Sequence, residues 1–91
     1  METIELLEIR NKYGLHARAS TRLAQVAQKF RSSIWLSRSD GGPEIDGKSI
    51  LGILTLGAER GMSLRVRVAG DDAKDALEAI TALFKKNFDE E

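Results

Sequence analysis

Ninety-one residues suffice for one folding unit with one small core. Fourteen basic and fourteen acidic side chains cancel, which removes the cationic excess expected of a nucleic-acid binder. With no cysteine and a single histidine, disulfide frameworks and thiolate metal centres are excluded, and no metal site is expected, since zinc would need several carboxylate ligands. The opening Met1-Glu2-Thr3-Ile4-Glu5 lacks the cationic flank and apolar run of a signal peptide. No apolar stretch approaches bilayer length, so the expected setting is the cytoplasm, away from membranes.

Thr3 to Ile9, rich in β-branched and aliphatic residues, predicts a first strand that Lys12-Tyr13-Gly14 breaks. From His16 to Phe30, Ala19, Leu23, Val26, Ala27 and Phe30 recur at helical spacing, with Arg18, Arg22, Gln25 and Lys29 on the other faces. Ile34-Trp35-Leu36 reads as a second strand, Asp40-Gly41-Gly42-Pro43 as a turn, and Glu44-Ile45 as a short return strand. Gly47-Lys48-Ser49 then opens Ile50-Leu51-Gly52-Ile53-Leu54, a short helix of poor intrinsic propensity that packing or a partner must support.

Leu64 to Val68 alternates apolar residues with arginine, which gives a strand one buried and one wet face. A last helix starts at Gly70-Asp71 with Asp71 as its N-cap. Ala73, Leu77, Ile80, Leu83, Phe84 and Phe88 form its core stripe, and Lys85 and Lys86 sit where the helix dipole favours cations. The order β-α-β-β-α-β-α predicts an α+β fold, a largely antiparallel sheet with helices on one face. A right-handed first crossover lets a later strand slot between the first two. Residues 1–91 are read as a single domain, expected to be monomeric.

Chemistry concentrates in Gly14-Leu15-His16-Ala17-Arg18. The first N–H groups of a helix lack internal partners, and with the dipole they form a seat for an anion. A phosphoryl group on His16 would find the Ala17 and Arg18 N–H groups nearest, and Arg18 adds a charged fork suited to phosphate oxygens. The positive helix end disfavours an imidazolium, and the neutral ring is the form that attacks phosphorus. A bland reading stands beside this one: a histidine starting a helix is commonly a surface residue or local cap, and its arginine neighbour a solvated charge.

Gly14-Leu15-His16-Ala17-Arg18 resembles the active-site motif of the histidine-containing phosphocarrier (HPr) family of the bacterial phosphotransferase system. Asp46-Gly47-Lys48-Ser49-Ile50-Leu51-Gly52 resembles that family's regulatory-serine region, and Leu56-Gly57-Ala58 with Gly61 extends the similarity towards the last strand. The resemblance implies an open-faced β-sandwich, a four-stranded antiparallel sheet covered on one face by three helices. It implies a phosphorylated carrier, not an enzyme, with no cofactor. His16 would take a phosphoryl group on Nδ1 from phospho-enzyme I, charged by phosphoenolpyruvate, and pass it to a IIA-type protein, with Arg18 steadying it.

The same resemblance implies a serine kinase/phosphorylase acting on Ser49, and a docking patch of Ile50, Leu51 and Leu54 with Ala17, Ser20 and Thr21. Ser49 is also a natural helix cap, and an exposed cap can still be a kinase target. Ile50 and Ile53 or their neighbours are expected to be partly buried, and Trp35 to serve sheet packing. One departure stands out: Ala19-Ser20 follows Arg18 where the family often has proline. That variant is similar to nitrogen-related and other proteobacterial branches, so sugar and nitrogen pathways both remain open. One alternative is a regulatory module of the same fold, whose phosphorylation at His16 or Ser49 controls binding without onward transfer. An RNA-binding α+β domain is disfavoured by neutral charge and by the lack of paired aromatics on a strand.

Overall fold

The alternation in β4 (Ser63–Ala69) organises the sheet. In this computed structural model, which describes residues 1–90, Leu64, Val66 and Val68 are fully buried, while Arg65 and Arg67 between them take the opposite face. β4 pairs antiparallel with β1 (Glu2–Glu8) on one side and β2 (Ser33–Arg38) on the other. β3 (Ile45–Asp46) closes the order β1-β4-β2-β3, so the late strand does lie between the first two.

Three helices, α1 (Ala17–Ala27), α2 (Ile50–Thr55) and α3 (Ala73–Lys85), cover one face of this open antiparallel sheet. Leu7, Ile34, Leu36 and the three β4 residues meet Leu23 and Ala27 of α1, Ile53 of α2, and Ile80 and Phe84 of α3 in a single apolar cluster. The open face is held by charge. Arg67 lies over the Trp35 ring at 5.6 Å and donates to Glu2 at 2.9 Å and Glu44 at 2.8 Å, tying the β1 edge to the residue before β3. Trp35 therefore packs on the sheet.

The start of α3 departs from the sequence expectation. The N-cap is Asp72, not Asp71, and its carboxylate makes no bond to its own helix. It accepts instead from the Arg31 and Ser32 N–H groups, each at 2.9 Å, and from the Ser32 hydroxyl at 2.5 Å. Asp72 is thus spent on fastening α3 to the entrance of β2. Those bonds, the Ser32 hydroxyl foremost, pull its carboxyl from an ordinary 3.8 down to about 2.

The end of the chain also differs. Phe88 belongs to the core as expected, but not to the helix: α3 stops at Lys85, and a short 3-10 turn follows at Asn87–Asp89. Asn87, Phe88 and Asp89 have φ of 54°, 58° and 65°, a left-handed run that costs about 1–2 kcal/mol per residue. Burial offsets the cost, since Phe88 is 2% exposed and its ring meets that of Phe84 at 4.8 Å, tilted by 57°. Beyond Phe88, Asp89 reaches Arg22 in α1 and Glu90 reaches His16 before its first turn.

Candidate functional site

The approach to α1 is built around a glycine. Gly14 has φ of +64°, and a Cβ there would stand 2.7 Å from the Ala58 carbonyl oxygen and 2.8 Å from the Glu59 Cα. The neighbouring Leu15 N–H donates to that same Ala58 oxygen at 3.0 Å. Asn11 wraps the turn: its carbonyl accepts from the Gly14 N–H at 3.2 Å, and its side-chain Nδ2 donates to the Gly14 carbonyl at 2.7 Å. From the far side, the Ser20 hydroxyl donates to the Leu15 carbonyl at 3.0 Å. Gly14 and Leu15, the two residues before His16, are therefore fixed by three separate segments.

His16 is itself the N-cap of α1, in extended backbone conformation. Its carbonyl accepts from the Ser20 N–H at 2.8 Å, closing the first turn. Its Nδ1 accepts from the Arg18 N–H at 3.3 Å, the cap bond usually made by Ser, Thr, Asp or Asn. The other ring nitrogen, Nε2, lies 2.6 Å from Glu90 Oε2. An N–H donor at one nitrogen and a carboxylate at the other leave one consistent tautomer: the proton sits on Nε2 and the lone pair on Nδ1. Tyr13 stands edge-on beside the ring, centroids 5.8 Å apart at 87°.

The surroundings are ready for an anion. Ala17 and Arg18 are exposed at the helix start, where backbone N–H groups favour negative charge. Arg22, one turn on, is paired with Asp89 at 2.5 Å, whereas Arg18 makes no ion pair among the described residues. Lys12, Tyr13, His16, Arg18, Asp89 and Glu90 line an open basin of about 580 Å³. It is large enough to admit a phosphoryl group but is open to solvent.

The family model described as "PTS HPr component phosphorylation site" matches residues 5–86. The chain belongs to the HPr family. It is 42% identical over 85 residues to the phosphocarrier protein HPr of Xylella fastidiosa strain Temecula1, which spans 93% of each chain. It is 35% identical over 91 residues, the full length of both, to the phosphocarrier protein NPr of Escherichia coli K12. The crystal structure of HPr-C-His from Thermoanaerobacter tengcongensis superposes with a TM-score of 0.91 at 37% identity, over 98% of each chain.

The residues expected to form an HPr docking patch divide into two groups. Leu51 is 75% exposed, and Ile50 and Leu54 are exposed at 37% and 38%, while Ile53 is the residue of α2 that enters the core. α2 packs beside α1, whose Ala17 is exposed and Thr21 half-buried. The Thr21 hydroxyl is occupied by the Ala17 carbonyl at 2.8 Å. Ser20 does not belong to the patch: it is fully buried, and its hydroxyl is turned to Leu15. The α1 stripe is broader than its apolar residues suggest, so this serine takes a core position.

Ser49 caps α2 as its residue type predicts, its Oγ accepting from the Gly52 N–H at 3.0 Å. Three neighbours of the HPr histidine escaped sequence reasoning: Asn11, Tyr13 and Glu90. Asn11 carried a faint signal, an Asx residue three positions before a turn glycine. Glu90 carried none, because 74 positions separate it from His16.

Proposed function

We propose that this HPr-family protein carries a phosphoryl group on His16 Nδ1 in the cytoplasm, taking it from phospho-enzyme I and passing it to a IIA-type protein. The observation that supports this most directly is the orientation of the ring. Nδ1 holds its lone pair toward the Arg18 N–H at the head of α1, where the oxyanions of an arriving phosphoryl group meet backbone donors. The Arg18 guanidinium, which makes no ion pair among the described residues, adds a charge-assisted contact to those oxygens. The group stays on His16 until a second partner docks, so the protein is consumed and regenerated stoichiometrically and turns nothing over by itself.

Docking falls to Ala17, Ile50, Leu51 and Leu54, an exposed apolar strip with the half-buried Thr21 at its side and Arg18 nearby, which suits an acidic, apolar partner face. Ser49 stands at the edge of that strip and is the proposed target of a serine kinase/phosphorylase. A phosphate there would place about two negative charges where partners bind. Relatives named HPr and NPr both align over more than nine-tenths of the chain, so acceptors from the sugar and nitrogen branches both belong in the assay.

Wild-type protein incubated with enzyme I and phosphoenolpyruvate should gain one acid-labile phosphoryl mass, and His16→Ala should gain none while remaining folded. Added IIA-type acceptor should then discharge the wild type. A His16→Ala variant that still gains the mass would place the acceptor elsewhere, and a charged protein that binds IIA without discharge would make it a regulatory module.

A further inference from the structure

We infer that Glu90 is a positioning residue for phosphoryl transfer at His16, holding the Nε2 proton and offsetting the charge the ring acquires when Nδ1 is phosphorylated. The inference rests on the reading of His16 as acceptor and adds a residue to it.

The carboxylate is placed by several independent contacts. Phe88 is sunk in the core two residues earlier, and Asp89 is paired with Arg22 of α1. Glu90 Oε1 accepts from Asn11 Nδ2 at 3.2 Å, while Oε2 takes the ring nitrogen at 2.6 Å. Asn11 Nδ2 also holds the Gly14 carbonyl, so one amide group fixes both the turn that carries the histidine and the carboxylate that faces it. The Glu90 side chain is only 12% exposed. A glutamate side chain has no general reason to be so enclosed, and the left-handed turn at 87–89 is the backbone cost of bringing it there.

The chemistry follows from the two ends of the ring. The Nδ1 lone pair forms the bond to phosphorus as the donor's bond to phosphorus breaks, its electron pair leaving with the donor atom. Nε2 keeps its proton throughout, so the phosphorylated ring is formally cationic. A carboxylate 2.6 Å from Nε2 stabilises that cation, as the aspartate of a Ser-His-Asp triad stabilises its imidazolium. On onward transfer the N–P electron pair returns to Nδ1, the ring is neutral again, and no proton has left the site.

Three proteins test this: wild type, Glu90→Ala and Glu90→Gln, each checked for folding by thermal unfolding. Proton–nitrogen NMR should show a downfield, exchange-protected Nε2–H in the wild type, lost in Glu90→Ala and moved upfield in Glu90→Gln. With enzyme I and phosphoenolpyruvate, both variants should show kcat lowered about tenfold or more, the scale seen when the hydrogen-bonding partner of a metal-ligating histidine is removed. The KM for the carrier should be unchanged. Glutamine keeps an acceptor and loses the charge, so a Glu90→Gln rate close to that of Glu90→Ala identifies charge as the main contribution. Equal rates in all three proteins, a change confined to KM, or an Nε2–H signal indifferent to residue 90 would each overturn the proposal. A wild type that accepts no phosphoryl group would instead overturn the reading of His16 and this inference with it.

Discussion

Gly14 is fitted against the carbonyl of Ala58 so closely that a single methyl group on it would stand 2.7 Å from that oxygen. The loop before β4 therefore carries the turn that delivers His16, through this contact and through the Leu15–Ala58 hydrogen bond. Gly14→Ala should cost about 2 kcal/mol or more, from left-handed strain plus overlap with backbone that cannot yield cheaply. Denaturant unfolding measures the loss. The surviving folded fraction should also accept phosphate more slowly than wild type, because its histidine has moved.

Phe88 should behave as a core residue although it lies beyond the last helix. Truncation to alanine is expected to cost about 3–5 kcal/mol, measured as a lower denaturant midpoint. The same change frees the segment that presents Glu90, so the Nε2–H resonance of His16 should broaden or vanish under conditions where the protein is still folded.

Acid should weaken the α3–β2 junction in a defined window. Asp72 titrates near 2 in the folded protein against an ordinary 3.8. Its contribution is thus fully present above about pH 4 and is lost as pH falls from there towards 2. Asp72→Asn should be less stable than wild type at neutral pH, with the difference narrowing over that interval. Thermal midpoints recorded from pH 2 to 7 test this; parallel curves would show that Asp72 carries no such linkage.

Ser49 separates capping from docking. Ser49→Ala loses the bond to the Gly52 N–H and should cost about 1 kcal/mol with phosphoryl acceptance little changed. Ser49→Asp keeps a capping oxygen, and so most of the stability, but sets a negative charge beside Ile50 and Leu51. Its acceptance from enzyme I should slow through a raised KM for the carrier. Steady-state kinetics on both variants distinguish the two roles, and unchanged kinetics for Ser49→Asp would remove the electrostatic argument.

Much of this was legible from residue order. The β4 alternation, the α1 stripe, the Ser49 cap and the slot between the first two strands all express local periodicity or chain geometry, which short windows carry. What escaped depends on distant partners. Asp71 and Asp72 are equivalent as caps on paper, and Ser32 of another segment decides how Asp72 is used. Ser20 looks like a surface serine until the Leu15 carbonyl claims its hydroxyl. The helix pattern through Phe88 is sound in its apolar spacing, yet the chain turns left-handed because an aromatic ring finds a better seat in the core.

The strand order has a consequence for biosynthesis. β1 leaves the ribosome well before β4, the strand that hydrogen-bonds to it, which begins at Ser63. Until then the strand pairing available among the described residues is the two-residue one of β2 with β3. β1 thus waits for its partner with an unshielded edge exposed to chaperones and proteases, and the histidine's helix acquires its permanent footing only once β4 has been made.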